Sequence, residues 1–162
     1  MQAIDTWIET LNQYSYEQIC TQPLVDSWSL GQVCMHLLGD TEFYIEQALI
    51  CSHNNDNANE SATAAGQTML DNNSFPNEKL QNPANAFMPQ PASKEQLIKD
   101  MLQLKAALTN ASELASQTSC KGKTKHPGLG YFNAAEWIQF ADMHFRHHLR
   151  QKKKIEDLLF NK

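Results

Sequence analysis

Two histidines near the C-terminus, His144 and His148, have the residue type and spacing that most directly indicate chemistry. They lie in a segment whose apolar residues recur in steps of three and four, the period of a helix with one buried face. Because residues four apart share a helical face, both imidazoles can reach a single cation. An apolar seam is unfavourable for two imidazoles without partners, and a shared divalent metal ion would satisfy both. The spacing therefore predicts a metal site facing the interior of a helical bundle.

A third ligand must come from another segment, and His36 is the best candidate because it lies about two turns into a second predicted helix. Asp40, one turn further on, could be a fourth ligand or could accept a hydrogen bond from a ligand. Structural zinc sites usually have four protein ligands, whereas catalytic ones keep an open position. His147 is rotated off the seam. It is expected to be a hydrogen-bond partner or a surface residue, although a pair with His144 could also chelate.

Other interpretations of the histidines stay open at this stage. A single interior histidine such as His36 is often a hydrogen-bonded core residue, and the run from 144 to 150 could be a solvated basic face. His53, in an Asn-rich segment, is expected to face solvent, whereas His126 could line the mouth of a site. Cys34 lies two residues from His36 but has no evident oxyanion support, so a cysteine hydrolase is not favoured. The sequence contains no phosphate-binding, dinucleotide-binding or nucleophile-elbow motif.

Length and composition limit the class of protein. The 162 residues fit a single domain, residues 1–162, and the net charge of −5 argues against a nucleic-acid partner. No apolar stretch approaches the roughly 20 residues that span a bilayer, which argues against a membrane partner. The N-terminus resembles no signal peptide, so a cytoplasmic location with four reduced cysteines is expected.

Helical periodicity predicts four helices that would position these histidines. They cover about 4–19, 30–50, 94–115 and 134–160. Ser29 with Gln32 and Ser93 with Gln96 form S-x-x-Q capping patterns, and Asn133 with Glu136 is a similar arrangement. The predicted fold class is therefore an all-α four-helix bundle.

A long polar segment, residues 52–92, separates the second and third predicted helices. It is rich in Asn, Gln and Pro, with a short helix predicted around 62–70. Its length allows the chain to return along the bundle, so that helices two and three run parallel. We therefore predict one long crossover, with residues 116–132 as a second, shorter loop.

Two motifs resemble those of the DinB/YfiT-like superfamily. SWSLGQVCMHLLGDTEF (27–43) is similar to its second-helix motif, and HPGLGYFNAAEWIQFADMHFRHHLRQ (126–151) is similar to its last-helix motif, H-x-x-x-H followed by Gln. The resemblance implies an up-down-down-up four-helix bundle. It also implies a divalent metal, often zinc or nickel, at the positions of His36, His144 and His148. Family members are often homodimers, and some are transferases or isomerases that use low-molecular-weight thiols.

These observations together give an expected function. The chain is expected to be a divalent-metal-dependent enzyme acting on a small molecule, either a small-thiol-dependent transferase or a hydrolase. Asp40, Glu42 and His126 are candidate bases, and the sequence does not choose among them. Two alternatives are a non-catalytic metal-binding or interaction module with the same bundle, and a structural protein whose histidines fill the core.

Overall fold

Six helices and one two-stranded sheet make up the regular structure of residues 2–76 and 88–160, the part of the chain that the computed structural model describes. The helices are α1 (Gln2–Gln13), α2 (Tyr16–Cys20), α3 (Leu30–Ser52), α4 (Ala64–Asn72), α5 (Lys94–Gln117) and α6 (Ala134–Leu159). The strands are β1 (Lys123–His126) and β2 (Gly130–Asn133). The mostly helical content agrees with the predicted all-α class.

The four long helices form the core. α3 packs against α5 and α6, while α1 contacts the same two helices and α5 also contacts α6. Trp7, Leu37, Met101 and Trp137 are fully buried where these helices meet. Every third or fourth residue of α5 from Leu97 to Ala111 is buried, as expected for a helix with one buried face. On α6 the buried seam includes both histidines.

None of the described helices is both long and apolar enough to cross a membrane.

Capping residues determine where the two histidine-bearing helices begin. The Ser29 side chain accepts a hydrogen bond from the Gln32 backbone N–H, while the Gln32 side chain accepts one from the Ser29 backbone N–H. Asn133 and Glu136 make the same reciprocal pair at the start of α6. Both caps occur where the sequence predicted them. They satisfy N–H groups that a helix start leaves without partners.

The prediction of one continuous helix over residues 4–19 was wrong. The chain breaks after Gln13, and a second helix, α2, begins at Tyr16. Ser15 caps α2 through a reciprocal pair with Gln18, so its backbone N–H bonds to a side chain instead of extending α1. The apolar stripe is real, because Ile4, Trp7, Leu11 and Ile19 are all buried, but it runs through two helices.

The prediction that residues 116–132 form only a loop was also wrong, since β1 and β2 pair as an antiparallel hairpin. The crossover holds this hairpin in place. The Thr63 N–H donates to the Leu129 carbonyl, and the Tyr131 N–H donates to the Ser61 carbonyl. Gly130 adopts a positive φ of 85°, which favours glycine, beside this junction. The short helix predicted near 62–70 is confirmed as α4, whereas crossover residues 77–87 lie outside the described residues.

Two helical glycines give a matched test of this packing. A Cβ at Gly39 of α3 would meet no described atom within 4 Å, so Gly39→Ala should stabilise the protein by up to about 1 kcal/mol. A Cβ at Gly66 of α4 would lie 2.5 Å from the Leu129 carbonyl oxygen, so Gly66→Ala should destabilise it by about 1–3 kcal/mol. Urea unfolding measures both free energies. A Gly66→Ala variant as stable as Gly39→Ala would show that α4 does not pack on the hairpin in this way.

Candidate metal centre

The three predicted histidines meet at one point between α3 and α6. Nε2 of His144 lies 3.0 Å from Nε2 of His36 and 3.0 Å from Nε2 of His148. Each residue offers one ligand atom, and these atoms lie within 4.8 Å of one another. The residues are 6%, 5% and 9% exposed for His36, His144 and His148, so the cluster is buried.

The two separations of 3.0 Å suit a shared cation, and the ligand atoms of His36 and His148 lie within 4.8 Å of each other. Two imidazole nitrogens that each lie about 2.0–2.1 Å from a metal ion are about 2.8–3.4 Å apart when the angle between them is about 90–110°. Hydrogen bonds within the cluster cannot satisfy the Nε2 atoms of all three histidines at once. A ring nitrogen carries either a proton or a lone pair, so Nε2 of His144 cannot donate to one neighbour while accepting from the other. The donor set therefore fits a divalent cation better than it fits a closed hydrogen-bond network.

Gln151 fixes the tautomer of His148. Nδ1 of His148 lies 2.8 Å from Oε1 of Gln151. Because an amide oxygen only accepts, this contact places the proton on Nδ1 and leaves a lone pair on Nε2, which points into the cluster. The Nδ1 atoms of His36 and His144 are buried and have no hydrogen-bond partner among the described residues. Only His148, within that part of the chain, has the outer hydrogen bond that metal-binding histidines usually make.

Burial keeps the three imidazoles neutral. It lowers the pKa of His36, although the nearby Asp40 carboxylate opposes the shift. Burial and the neighbouring histidines lower the pKa of His144 well below its usual value. Burial is also the main reason that the pKa of His148 falls to about 4, although the hydrogen bond that His148 donates to Gln151 opposes this shift. A neutral imidazole is the form that binds a metal ion, so all three residues are ready to bind at neutral pH.

Asp40 lies on the solvent-exposed side of the cluster. Its Oδ2 atom is 3.7 Å from Nε2 of His36 and 3.9 Å from Nε2 of His144, and its side chain is 43% exposed. The Tyr44 hydroxyl donates a hydrogen bond to the same oxygen at 3.4 Å. The sequence predicted Asp40 as a fourth ligand or as a hydrogen-bond acceptor. Asp40 lies beside two of the nitrogens but beyond hydrogen-bond distance, so the acceptor role toward a histidine is not observed, and its position is more compatible with a fourth ligand.

Aromatic rings enclose the rest of the cluster. The Trp28 ring lies 5.3 Å from the His36 ring, and the Tyr44 ring lies 5.8 Å from the His144 ring. Phe75 lies 5.8 Å from His144 and also contacts Phe140. The sequence carries a signal for Tyr44, which follows His36 and Asp40 in steps of four on α3. It gave none for Phe75, which reaches the site from the crossover.

The remaining histidines lie outside the three-nitrogen cluster. His147 contacts Phe75 and His148, and burial, Arg150 and His36 lower its pKa. His126 packs on Phe132, Trp137 and Phe140, and burial lowers its pKa. His53 is exposed, as predicted.

Two other candidates for chemistry differ sharply in their surroundings. The Cys34 thiol is fully buried, and burial raises its pKa far above the ordinary value, so it is not a nucleophile at neutral pH. Glu42, a candidate base, is exposed on α3. Asp40, another candidate base, lies beside two of the three nitrogens, those of His36 and His144.

Comparison with known proteins gives one match. The family model described as the DinB superfamily matches residues 2–151, a range that includes all three histidines. No curated protein and no solved structure matches the chain.

Proposed function

We propose that this chain, which belongs to the DinB superfamily, binds one divalent metal ion through Nε2 of His36, His144 and His148 and is a metal-dependent enzyme acting on a small molecule. The observation that carries the proposal is the convergence of three buried imidazole nitrogens on one point. Zinc and nickel are the proposed ions, because imidazole ligands suit both and the family resemblance implies them.

The number of ligands favours catalysis over a purely structural role. Three protein ligands leave at least one coordination position open, as in catalytic zinc sites. When bound, the ion would supply Lewis acidity, which lowers the pKa of a hydroxyl or thiol that coordinates it. Asp40 is close enough to hold a proton from such a group, and its exposure keeps that side accessible. Trp28, Tyr44 and Phe75 exclude water from the other sides.

Two reaction types fit this arrangement, namely transfer of a small thiol and hydrolysis. Both need a nucleophile that loses its proton near neutral pH, and both could use Asp40 as the proton acceptor. The family resemblance favours the thiol, as some members use low-molecular-weight thiols. A non-catalytic metal-binding module is the alternative, and it differs in having no turnover.

We also propose a topology and a domain range for the chain. We assign the up-down-down-up order to α1, α3, α5 and α6 in one domain spanning residues 1–162, with 52–92 as the crossover. The contacts of α1 with α5 and α6, and of α3 with the same pair, support this order. A homodimer is proposed from the family resemblance and can be checked by analytical ultracentrifugation.

Metal binding should stabilise the wild-type protein but not a ligand variant. At free Zn²⁺ or Ni²⁺ about 100-fold above Kd, mass action adds about 2.7 kcal/mol, which raises Tm by roughly 5–10 °C in a chain of this size. His144→Leu should abolish this rise and be neutral or stabilising without metal, since it removes a buried imidazole whose Nδ1 has no described partner. Untagged protein is measured by calorimetry and elemental analysis.

The control is His53→Leu, which removes an exposed histidine outside the cluster. It should retain the full metal-induced rise and one equivalent of metal. A wild-type protein that gains no thermal stability from either ion would contradict the proposed site. An equal rise in His144→Leu would place metal binding elsewhere.

Turnover should depend on the same histidines. The metal-loaded protein is assayed with a panel of small thiols and electrophilic substrates, and with ester and amide substrates for hydrolysis. His148→Ala should lower the rate by at least about 100-fold, because it removes a ligand at the proposed centre. His53→Ala should leave the rate unchanged. A metal-loaded protein with no turnover on any of these substrates would favour the non-catalytic alternative.

A further inference from the structure

The crossover contributes a side chain to the metal centre. Phe75 is 8% exposed, and its ring lies 5.8 Å from that of His144 and 5.3 Å from that of His147. It also packs edge-on against Phe140 at 4.8 Å. These three partners lie on one face of α6, at steps of four and three. The histidine-bearing helix is therefore covered there by a ring that arrives from outside the bundle.

A hydrogen-bonded clamp holds the crossover at this point. Asn73 has left-handed backbone geometry, with φ of 48°, and caps the end of α4. Its carbonyl oxygen accepts from Nη1 of Arg146 at 2.9 Å, and its Oδ1 accepts from Nη2 at 2.9 Å. Gln139 donates to Oδ1 of Asn73 at 3.3 Å and to the Leu70 carbonyl at 2.7 Å. The planar guanidinium can bind both Asn73 acceptors at once, which a lysine could not do with the same geometry.

Asp142, also on α6, orients the Arg146 side chain of this clamp. Nε of Arg146 donates to Oδ2 of Asp142 at 2.8 Å, one turn earlier on the same helix. Arg146 thus links the helix that carries His144 and His148 to a backbone position two residues before Phe75. The backbone two residues before Phe75 is thus fixed to α6, which limits movement of the crossover away from His144.

A cleft of about 420 Å³ lies along α4 and the segment that follows it, and Phe75 lines it too. Other lining residues are Ala64, Ala65, Thr68, Met69 and Pro76. Phe75 therefore borders both the His144 ring and this cleft. Truncation of the ring would join the two.

We propose that Phe75, positioned by the Arg146–Asn73 clamp, is the wall that sets the size of ligand accepted at the metal centre. On the Asp40 side a bulky apolar group would extend into solvent, so burial of that group would require the cleft behind Phe75. Size selection therefore resides in the crossover and in Arg146, not in the three histidines. This inference rests on the proposed metal site and extends it to specificity.

The test compares two thiols that present the same donor atom but differ in bulk. The protein is loaded with Co²⁺, and 2-mercaptoethanol and benzyl mercaptan are titrated against its visible absorption. Phe75→Ala should raise the affinity for benzyl mercaptan relative to 2-mercaptoethanol by roughly tenfold or more, since the phenyl group can then enter the cleft. Phe75→Leu should give a smaller change, and it provides a second variant if the alanine variant is poorly folded.

Arg146→Met should shift the same ratio in the same direction by about threefold, without loss of Co²⁺ binding. The control is Lys153→Met, which also removes an i,i+4 ion pair on α6, with Asp157, but has no contact with the crossover among the described residues. It should leave the ratio unchanged. A general loss of structure would weaken both thiols together and leave their ratio constant, so the ratio separates positioning from stability.

Three outcomes would contradict the proposal that Phe75 sets the size of the accepted ligand. One is a Phe75→Ala variant that binds Co²⁺ with an unchanged ratio, and a second is an Arg146→Met variant that matches Lys153→Met. The third is a wild-type protein that binds no Co²⁺, which would refute the metal site as well. The first two leave the metal site standing, so failure of the inference and failure of the proposed function are distinguishable.

Discussion

The convergence of three imidazole nitrogens in a buried space is the constraint on which the rest of the structure depends. His36 comes from α3, while His144 and His148 come from α6. Nitrogens 3.0 Å apart, with lowered pKa values and little access to water, form an unfavourable group unless a cation occupies their common point. The core must therefore hold two helices in a fixed register to keep polar groups together. The close packing of α3 on α6, and the caps that begin both helices, meet this demand.

The surroundings of the cluster divide into an apolar side and a polar side. Trp28, Tyr44 and Phe75 bring aromatic rings against the histidines, which lowers the local dielectric and strengthens electrostatic interactions there. Asp40 supplies a carboxylate on the exposed side. Three candidate ligands, one adjacent carboxylate and an apolar enclosure are compatible with the metal-dependent activity that we propose. Part of that enclosure comes from the crossover, so the segment joining α3 and α5 belongs to the site as well as to the topology.

His144 and His148 were predictable from local periodicity, whereas the choice of His36 as the third ligand rested mainly on the family resemblance. Positions 144 and 148 fall on a seam of three- and four-residue steps, and capping pairs fix where α3 and α6 begin. The break between α1 and α2 carried a signal of its own, since Ser15 and Gln18 repeat the S-x-x-Q pattern seen at Ser29. The apolar residues continue across the break, so their periodicity alone predicts one helix. The hairpin and the placement of Phe75 had no local signal, because both depend on contacts between distant segments, such as Thr63 with Leu129 and Asn73 with Arg146.

The most direct measurement is a crystal structure of the zinc- or nickel-loaded protein, with diffraction data collected on both sides of the absorption edge of the metal. We predict one anomalous peak per chain, about 2.0–2.2 Å from Nε2 of His36, His144 and His148. We also predict density from solvent or a small ligand in the remaining position, next to Asp40. Crystals grown at saturating metal that show no such peak, with the three rings hydrogen-bonded only to one another, would contradict this prediction.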